Sequence, residues 1–211
     1  MMNGKFISIE GIEGAGKSTQ LAFIESYLLR QGKTVVVTRE PGGTKLGEEI
    51  RNLLLAPREE GMSVDAELLL MFSARAEHIT TVIKPALERG DWVLSDRFVD
   101  ATFAYQGGGR QIDQARIAQL ADWTLNGLQT DLTLLFDVSV ELGQARVLSR
   151  KQDIDRFEQE QTEFFQRIRA CYLNRAANEP HRIKIVDASE SIEAVQIQLT
   201  KFLDEQVKNC S

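Results

Sequence analysis

The chain has 211 residues, 43% of them hydrophobic and 27% charged, enough for one globular unit with a core of useful size. A formal net charge of −6 denies it the broad positive field that a nucleic-acid polymer would need, yet a few local donors suffice to hold a phosphate. No apolar run reaches the roughly 18 residues of a membrane-spanning helix, the first ten residues carry no signal-peptide core, and Cys171 and Cys210 read as free thiols of a reducing cytoplasm.

In chain order, a β-rich apolar run over 6–9 leads into Gly11-Ile12-Glu13-Gly14-Ala15-Gly16-Lys17-Ser18, a match to G-x-x-x-x-G-K-[ST], before a helix expected over 18–30. Glycines in such a loop let successive N–H groups turn toward phosphate oxygens, while the lysine reaches the β- and γ-phosphates and the Ser hydroxyl ligates Mg²⁺. The expected ATP contacts are therefore Gly11, Glu13, Gly14, Ala15, Gly16, Lys17, Ser18 and Thr19. A strand over 34–37 runs into Thr38-Arg39-Glu40-Pro41-Gly42-Gly43-Thr44, and helices are expected over 46–55 and 64–89. A strand over 92–94 enters Ser95-Asp96-Arg97-Phe98, followed by a helix over 113–126 and a strand over 132–136. A helix over 158–177, a strand over 183–186 and a helix over 192–206 complete the pattern. This alternation predicts an α/β fold, a five-stranded parallel sheet with helices on both faces, in one domain over 1–211. The strands end in polar residues, among them Glu10, Arg39, Asp96 and Asp137, so candidate chemistry gathers beyond the carboxyl edge of the sheet.

The residue types at that edge suit a kinase with a phosphorylated acceptor. Arg97 offers a planar fork for a phosphate, and Arg39 is a second cation near it. Phe72 and Arg75 stand three apart on a helix, giving a ring on which a base can stack and a donor for a base carbonyl, although Phe72 could equally be core. Tyr105 and Gln106 precede Gly107-Gly108-Gly109, where the backbone can approach a ligand closely. Glu13 is out of place beside phosphates unless it accepts a hydrogen bond.

With the phosphate loop, the segments Thr38–Thr44, Phe72-Ser73-Ala74-Arg75-Ala76-Glu77-His78, Ser95–Phe98 and Tyr105–Arg110 make the chain resemble the thymidylate kinases. The resemblance implies a P-loop nucleoside monophosphate kinase fold, ATP and dTMP as substrates, Mg²⁺ as cofactor, a cytoplasmic homodimer and a place in dTTP biosynthesis. It also implies that Arg97 holds the monophosphate, Asp96 lies near the metal with Ser18, Phe72 stacks the thymine and Arg75 bonds its carbonyl edge. Thr102 and Gln106 then face the base, Tyr105 blocks a ribose 2′-hydroxyl, and Glu13 accepts from the 3′-hydroxyl.

Some members of that family carry a basic residue inside the phosphate loop, where this chain has Ala15. The missing cation is expected from a lid over about 147–157, with Arg150 and Arg156 on the ATP phosphates, excluding water, and Arg146 against the adenine. Lys17, Arg97, Arg150 and Arg156 are thus the expected catalytic cations. Two alternatives stay open: a kinase for another nucleoside monophosphate, and a nucleotide-binding regulator without turnover. A GTPase switch is disfavoured by the lack of an Asn-Lys-x-Asp guanine-reading element.

Overall fold

A computed structural model describes residues 4–149 and 156–208. Five strands, β1 (Phe6–Glu10), β2 (Val35–Arg39), β3 (Trp92–Asp96), β4 (Leu132–Asp137) and β5 (Ile183–Asp187), form one parallel sheet in the order β2-β3-β1-β4-β5. Alternation along the strands separates two cores. Ile7, Ile9, Trp92 and Leu94 pack with α1 (Lys17–Arg30) and α9 (Ile192–Lys208), whereas Phe6 and Val93 pack with α3 (Val64–His78) and α6 (Gln114–Leu125). Helices therefore cover both faces, as the alternation predicts.

Register brings the strand ends into one row: Asp96 pairs with Ile9 on one side and with Arg39 on the other. The chain leaves β1 where the strand order changes direction, with β3 on one side and β4 on the other. The phosphate loop thus begins at the crevice where open α/β sheets bind ligands.

The remaining helices are α2 (Lys45–Leu55), α4 (Lys84–Glu88), α5 (Val99–Thr102), α7 (Val140–Leu148) and α8 (Thr162–Asn178). The helix expected over 64–89 is α3 and α4 joined by a wider, π-type turn at Ile79–Ile83. Pro85, with no N–H to return to the preceding turn, lies just beyond it. Two helical stretches escape the sequence reading. One is α5 with the π-type turns Phe103–Gly109 that continue it, and the other is α7. The glycines of the first serve packing against neighbouring helices: a Cβ at Gly107 would meet Gln114 of α6, one at Gly108 would meet Cys171 of α8 at 2.8 Å, and one at Gly109 would meet the Phe164 ring of α8 at 2.5 Å.

A buried polar cluster ties these layers together. The Asp100 carboxylate on α5 is 1% exposed and bonds Arg175 of α8 (2.7 Å) and Arg182 before β5 (2.7 and 3.0 Å). Arg182 also donates to Thr130 and Thr133, and Thr133 continues to Ser8 in β1. An unpaired charge here would be costly, because neither guanidinium has full access to water. Asp100→Ala is expected to lower stability by about 3 kcal/mol, or about 6–12 °C in Tm, in thermal melts followed by circular dichroism. A loss below about 1 kcal/mol would mean that Glu179, which also bonds both arginines, suffices for them.

Candidate active site

The phosphate loop has the shape its spacing predicts. Gly14 has φ 74°, and a side chain there would run into the Gly143 carbonyl of α7, so the loop and that helix touch backbone to backbone. The α1 N-terminus has no side-chain cap and no acidic residue in its first turn, which leaves its N–H groups for an anion. Lys17 is 9% exposed and donates to the carbonyls of Gly11 (2.8 Å) and Ile12 (2.9 Å). Burial, helped by the neighbouring Arg97, lowers its pKa to about 8.

Loop and strand ends share one cavity that opens to solvent. Glu13, Gly14, Lys17 and Ser18 line it, with Asp96 and Arg97 from the end of β3. Arg97 adopts a left-handed backbone (φ 72°), unusual for a branchless cation, and its N–H donates to the Ile9 carbonyl. Its guanidinium donates to Glu13 (2.9 Å), the Tyr105 hydroxyl (2.9 Å) and the Tyr172 hydroxyl (3.3 Å), and lies over the Tyr105 ring. Tyr105 in turn donates to Glu13 at 2.7 Å. Glu13 is therefore neutralised by Arg97, which removes its misfit beside phosphates. Asp96 Oδ1 is buried without a hydrogen-bond partner among the described residues, an acceptor set for a cation or a water.

A second part of the same cavity is built for a planar polar group. Arg75 is 3% exposed; its Nε donates to Glu40 (2.7 Å) and its Nη2 to the Phe98 carbonyl (3.1 Å), while Nη1 has no partner among the described residues. Glu40 also bonds His78 Nδ1 (2.9 Å), whose Nε2 meets Thr38 Oγ1 (2.6 Å). Both guanidinium orientation and the free donor are thus fixed from behind. Thr102 and Gln106 line this region, each 1% exposed.

Three expected contacts are placed elsewhere. Phe72 is not in the cavity: it is 4% exposed in the core, under the Arg75 guanidinium at 5.0 Å, and Met71 lines the cavity in its stead. Met71 is four residues before Arg75, closer to its face of the helix than a residue three before it. Arg39 is turned to Glu48 of α2, which takes it at 2.8 and 3.2 Å and also accepts from the Gly43 N–H. The cavity cation from this region is Arg51, one turn further along α2, which donates to the Pro41 carbonyl at 2.9 Å and was missed in the sequence. Arg156 does not face the phosphate loop. It pairs with buried Glu67 (2.7 Å) and donates to the Leu54 carbonyl (2.8 Å), because a carboxylate 1% exposed requires cations beside it. Arg150 and the centre of the expected lid lie outside the described residues.

A neighbouring hollow on the far side of the loop is lined by Gly14, Ala15, Gly16, Thr19, Phe136 and Arg146, among others. Arg146 donates to the carbonyls of Ala188 (3.0 Å) and Gly14 (3.4 Å) at the rim of this hollow.

The family model for thymidylate kinase matches residues 9–199. The chain is 54% identical over 204 residues to a thymidylate kinase of Alcanivorax borkumensis, covering 97% of this chain and 98% of that one. It is 57% identical over 199 residues to that of Janthinobacterium sp., covering 94% and 96%. A crystal structure of thymidylate kinase from Ehrlichia chaffeensis superposes with a TM-score of 0.76 at 35% identity, over 95% of this chain and 98% of that one.

The buried Lys17 gives the loop a pH dependence. Bound phosphates favour its charged form, so binding above pH 8 takes up a proton. Glu10, whose pKa burial and nearby Asp100 push up to about 8, loses its proton over the same range and adds a negative charge. ATP affinity, measured by calorimetry from pH 6.5 to 9.5, is expected to be level below about 8 and to fall above it. Affinity unchanged to pH 9.5 would show that Lys17 is not the group that meets the phosphates.

Proposed function

The chain belongs to the thymidylate kinase family and transfers the γ-phosphate of ATP to dTMP, giving dTDP and ADP, and we propose the following division of labour within a single domain over 1–211. The observation that carries it is Arg75 Nη1, without a partner among the described residues, in the same cavity as Lys17, Ser18 and Asp96: a donor for a base carbonyl shares one cavity with a phosphoryl-transfer loop.

Lys17 and the N–H groups from Gly11 to Thr19 hold the β- and γ-phosphates, and Arg146 borders the adenine. Ser18 and the unpartnered Asp96 Oδ1 fit a Mg²⁺ that arrives with ATP. Held there, it would supply charge neutralisation to the phosphates. Arg97 and Arg51 hold the acceptor phosphate, whose oxygen is already anionic and requires no general base. Arg75 donates to a thymine carbonyl, Met71 packs on the ring, and Thr102 and Gln106 complete its edge. Tyr105, fixed by Glu13 and Arg97, stands against the sugar, and Glu13 keeps lone pairs for its 3′-hydroxyl. Catalysis is then mostly alignment and cationic stabilisation of the migrating group, Lys17 and Arg97 contributing from the described residues.

We also place the enzyme in the cytoplasm as a homodimer; no helix among the described residues is long and apolar enough to cross a membrane. The outward side of α3 and of the turn after it supports the dimer, with exposed Leu69, Ser73, Ala76 and Thr80 at helical spacing. Trp123 of neighbouring α6 stands 82% exposed, and Arg116 of α6 pairs with Asp65 of α3.

The test is ADP formation from Mg-ATP with single nucleoside monophosphates. dTMP should be preferred over dUMP by roughly tenfold or more in kcat/KM, the range for one methyl group in a fitted pocket, and ribonucleotides should be poor. Equal use of dTMP and its ribonucleotide analogue would remove Tyr105 as the sugar filter. Preference for a purine acceptor would remove the base pocket as assigned.

A further inference from the structure

Glu67 is a carboxylate on α3 with 1% exposure, and nothing in the phosphoryl transfer uses it. Three groups converge on it: Gln106 Nε2 and Arg110 Nε donate to it at 2.8 and 3.3 Å, and Arg156 Nη2 pairs with it as an ion at 2.7 Å, without the alignment of a hydrogen bond. Arg110 is balanced by Glu160 at 2.5 Å, so two carboxylates face two guanidinium groups. Arg156 is fixed further by the Leu54 and Leu55 carbonyls at the end of α2, which accept its Nε (2.8 Å) and its backbone N–H (3.4 Å). Phe157, the next residue, lies between Arg156 and Arg110 with ring-to-guanidinium distances of 4.5 and 5.6 Å, and meets the Tyr105 ring edge-on at 5.9 Å. Phe157, Leu55, Gln106 and Tyr105 all line the main cavity.

We propose that Glu67 is a positioning residue for acceptor recognition: it clamps Gln106 and the Arg156-Phe157 pair together, so that one buried carboxylate sets both the amide edge and the aromatic wall of the acceptor pocket. Arg156 then serves the acceptor side through Glu67 and Phe157 and not the phosphates of the donor. The proposal rests on the assignment of this cavity to the acceptor, and it differs from a transition-state role in its kinetics. An interaction made equally in ground and transition states changes KM and spares kcat, whereas one made only in the transition state lowers kcat.

The experiment compares wild type with Arg156→Ala, Arg156→Lys, Glu67→Gln and the double variant Glu67→Gln/Arg156→Ala, using dTMP and Mg-ATP. Arg156→Ala, at a partly exposed position, tests the clamp even where a change at buried Glu67 prevents folding. It should raise KM for dTMP about tenfold, the scale of one lost charge-assisted hydrogen bond, with kcat within about twofold and KM for ATP unchanged. Arg156→Lys, which keeps a charge for Glu67, should recover much of the loss. The double variant should be no worse than the poorer single one, since both break the same clamp. A fall in kcat with KM for dTMP unchanged would return Arg156 to the migrating phosphate and overturn the proposal. So would wild-type constants in Arg156→Ala, or losses that add in the double variant. Direct binding of dTMP to the wild type by calorimetry checks the acceptor assignment separately: without it, that reading fails whatever the variants do.

Discussion

The ion pair between Arg97 and Glu13 is the contact on which the site depends. It joins the end of β3 to the phosphate loop after β1, two neighbouring strands whose ends the sheet register already sets side by side. A guanidinium held in a left-handed backbone and aimed by a carboxylate and two tyrosine hydroxyls has few orientations left. Its entropy is lost on folding and not on binding, which is the physical content of preorganisation. Glu13, which in isolation would repel phosphate, becomes a device for aiming a cation.

The same solution recurs twice. Glu40 holds Arg75 from behind, with His78 and Thr38 continuing the chain of hydrogen bonds away from the cavity. Glu67 holds Arg156 and, through Arg110, the loop after the π-type turns. In each case a carboxylate from one element fixes an arginine from another, and the chain's acidic balance is partly made of these internal partners. Such a pair adds little net stability once desolvation is counted, but breaking one leaves a buried charge. Their value lies in fixing geometry.

How much of this was legible in the sequence follows from range. The sheet is dictated by local backbone demands and stands as read, and the same demands place the phosphate loop and the Asp96-Arg97 pair at its carboxyl edge. Which arginine enters the cavity is set by partners distant in sequence. Arg39 is taken by Glu48 nine residues on, while Arg51, held by the Pro41 carbonyl, lines the cavity. Nothing in the spacing marks that exchange. Phe72 was misplaced because an aromatic beside an arginine invites stacking, yet a difference of one position rotates a side chain by about 100° around a helix and puts Met71 on the cavity side. Glu67 reads as an ordinary first-turn acid of α3, where its charge suits the helix dipole. Only the chain packed around it shows it buried. The triple glycine was misread for a like reason: whether close approach serves a ligand or a helix cannot be told before α8 is in place.

Pairing the cavity arginines Arg75 and Arg97 with carboxylates also bears on turnover. A lone guanidinium in a dry site would grip any phosphate, product included, since charge-assisted bonds strengthen as water leaves. Glu13 beside Arg97 tempers that grip and keeps the cation directed, so that binding energy is concentrated where charge shifts during transfer and not on the ground state. Lys17, whose partners are loop carbonyls and which has no adjacent carboxylate in hydrogen-bond contact among the described residues, is under no such restraint. Its lowered pKa registers the cost of leaving a cation in that state, and a bound polyphosphate relieves it. Donor and acceptor are thus held by opposite electrostatic strategies: an under-compensated lysine that gains most from its ligand, and compensated arginines that are oriented in advance and release what they hold.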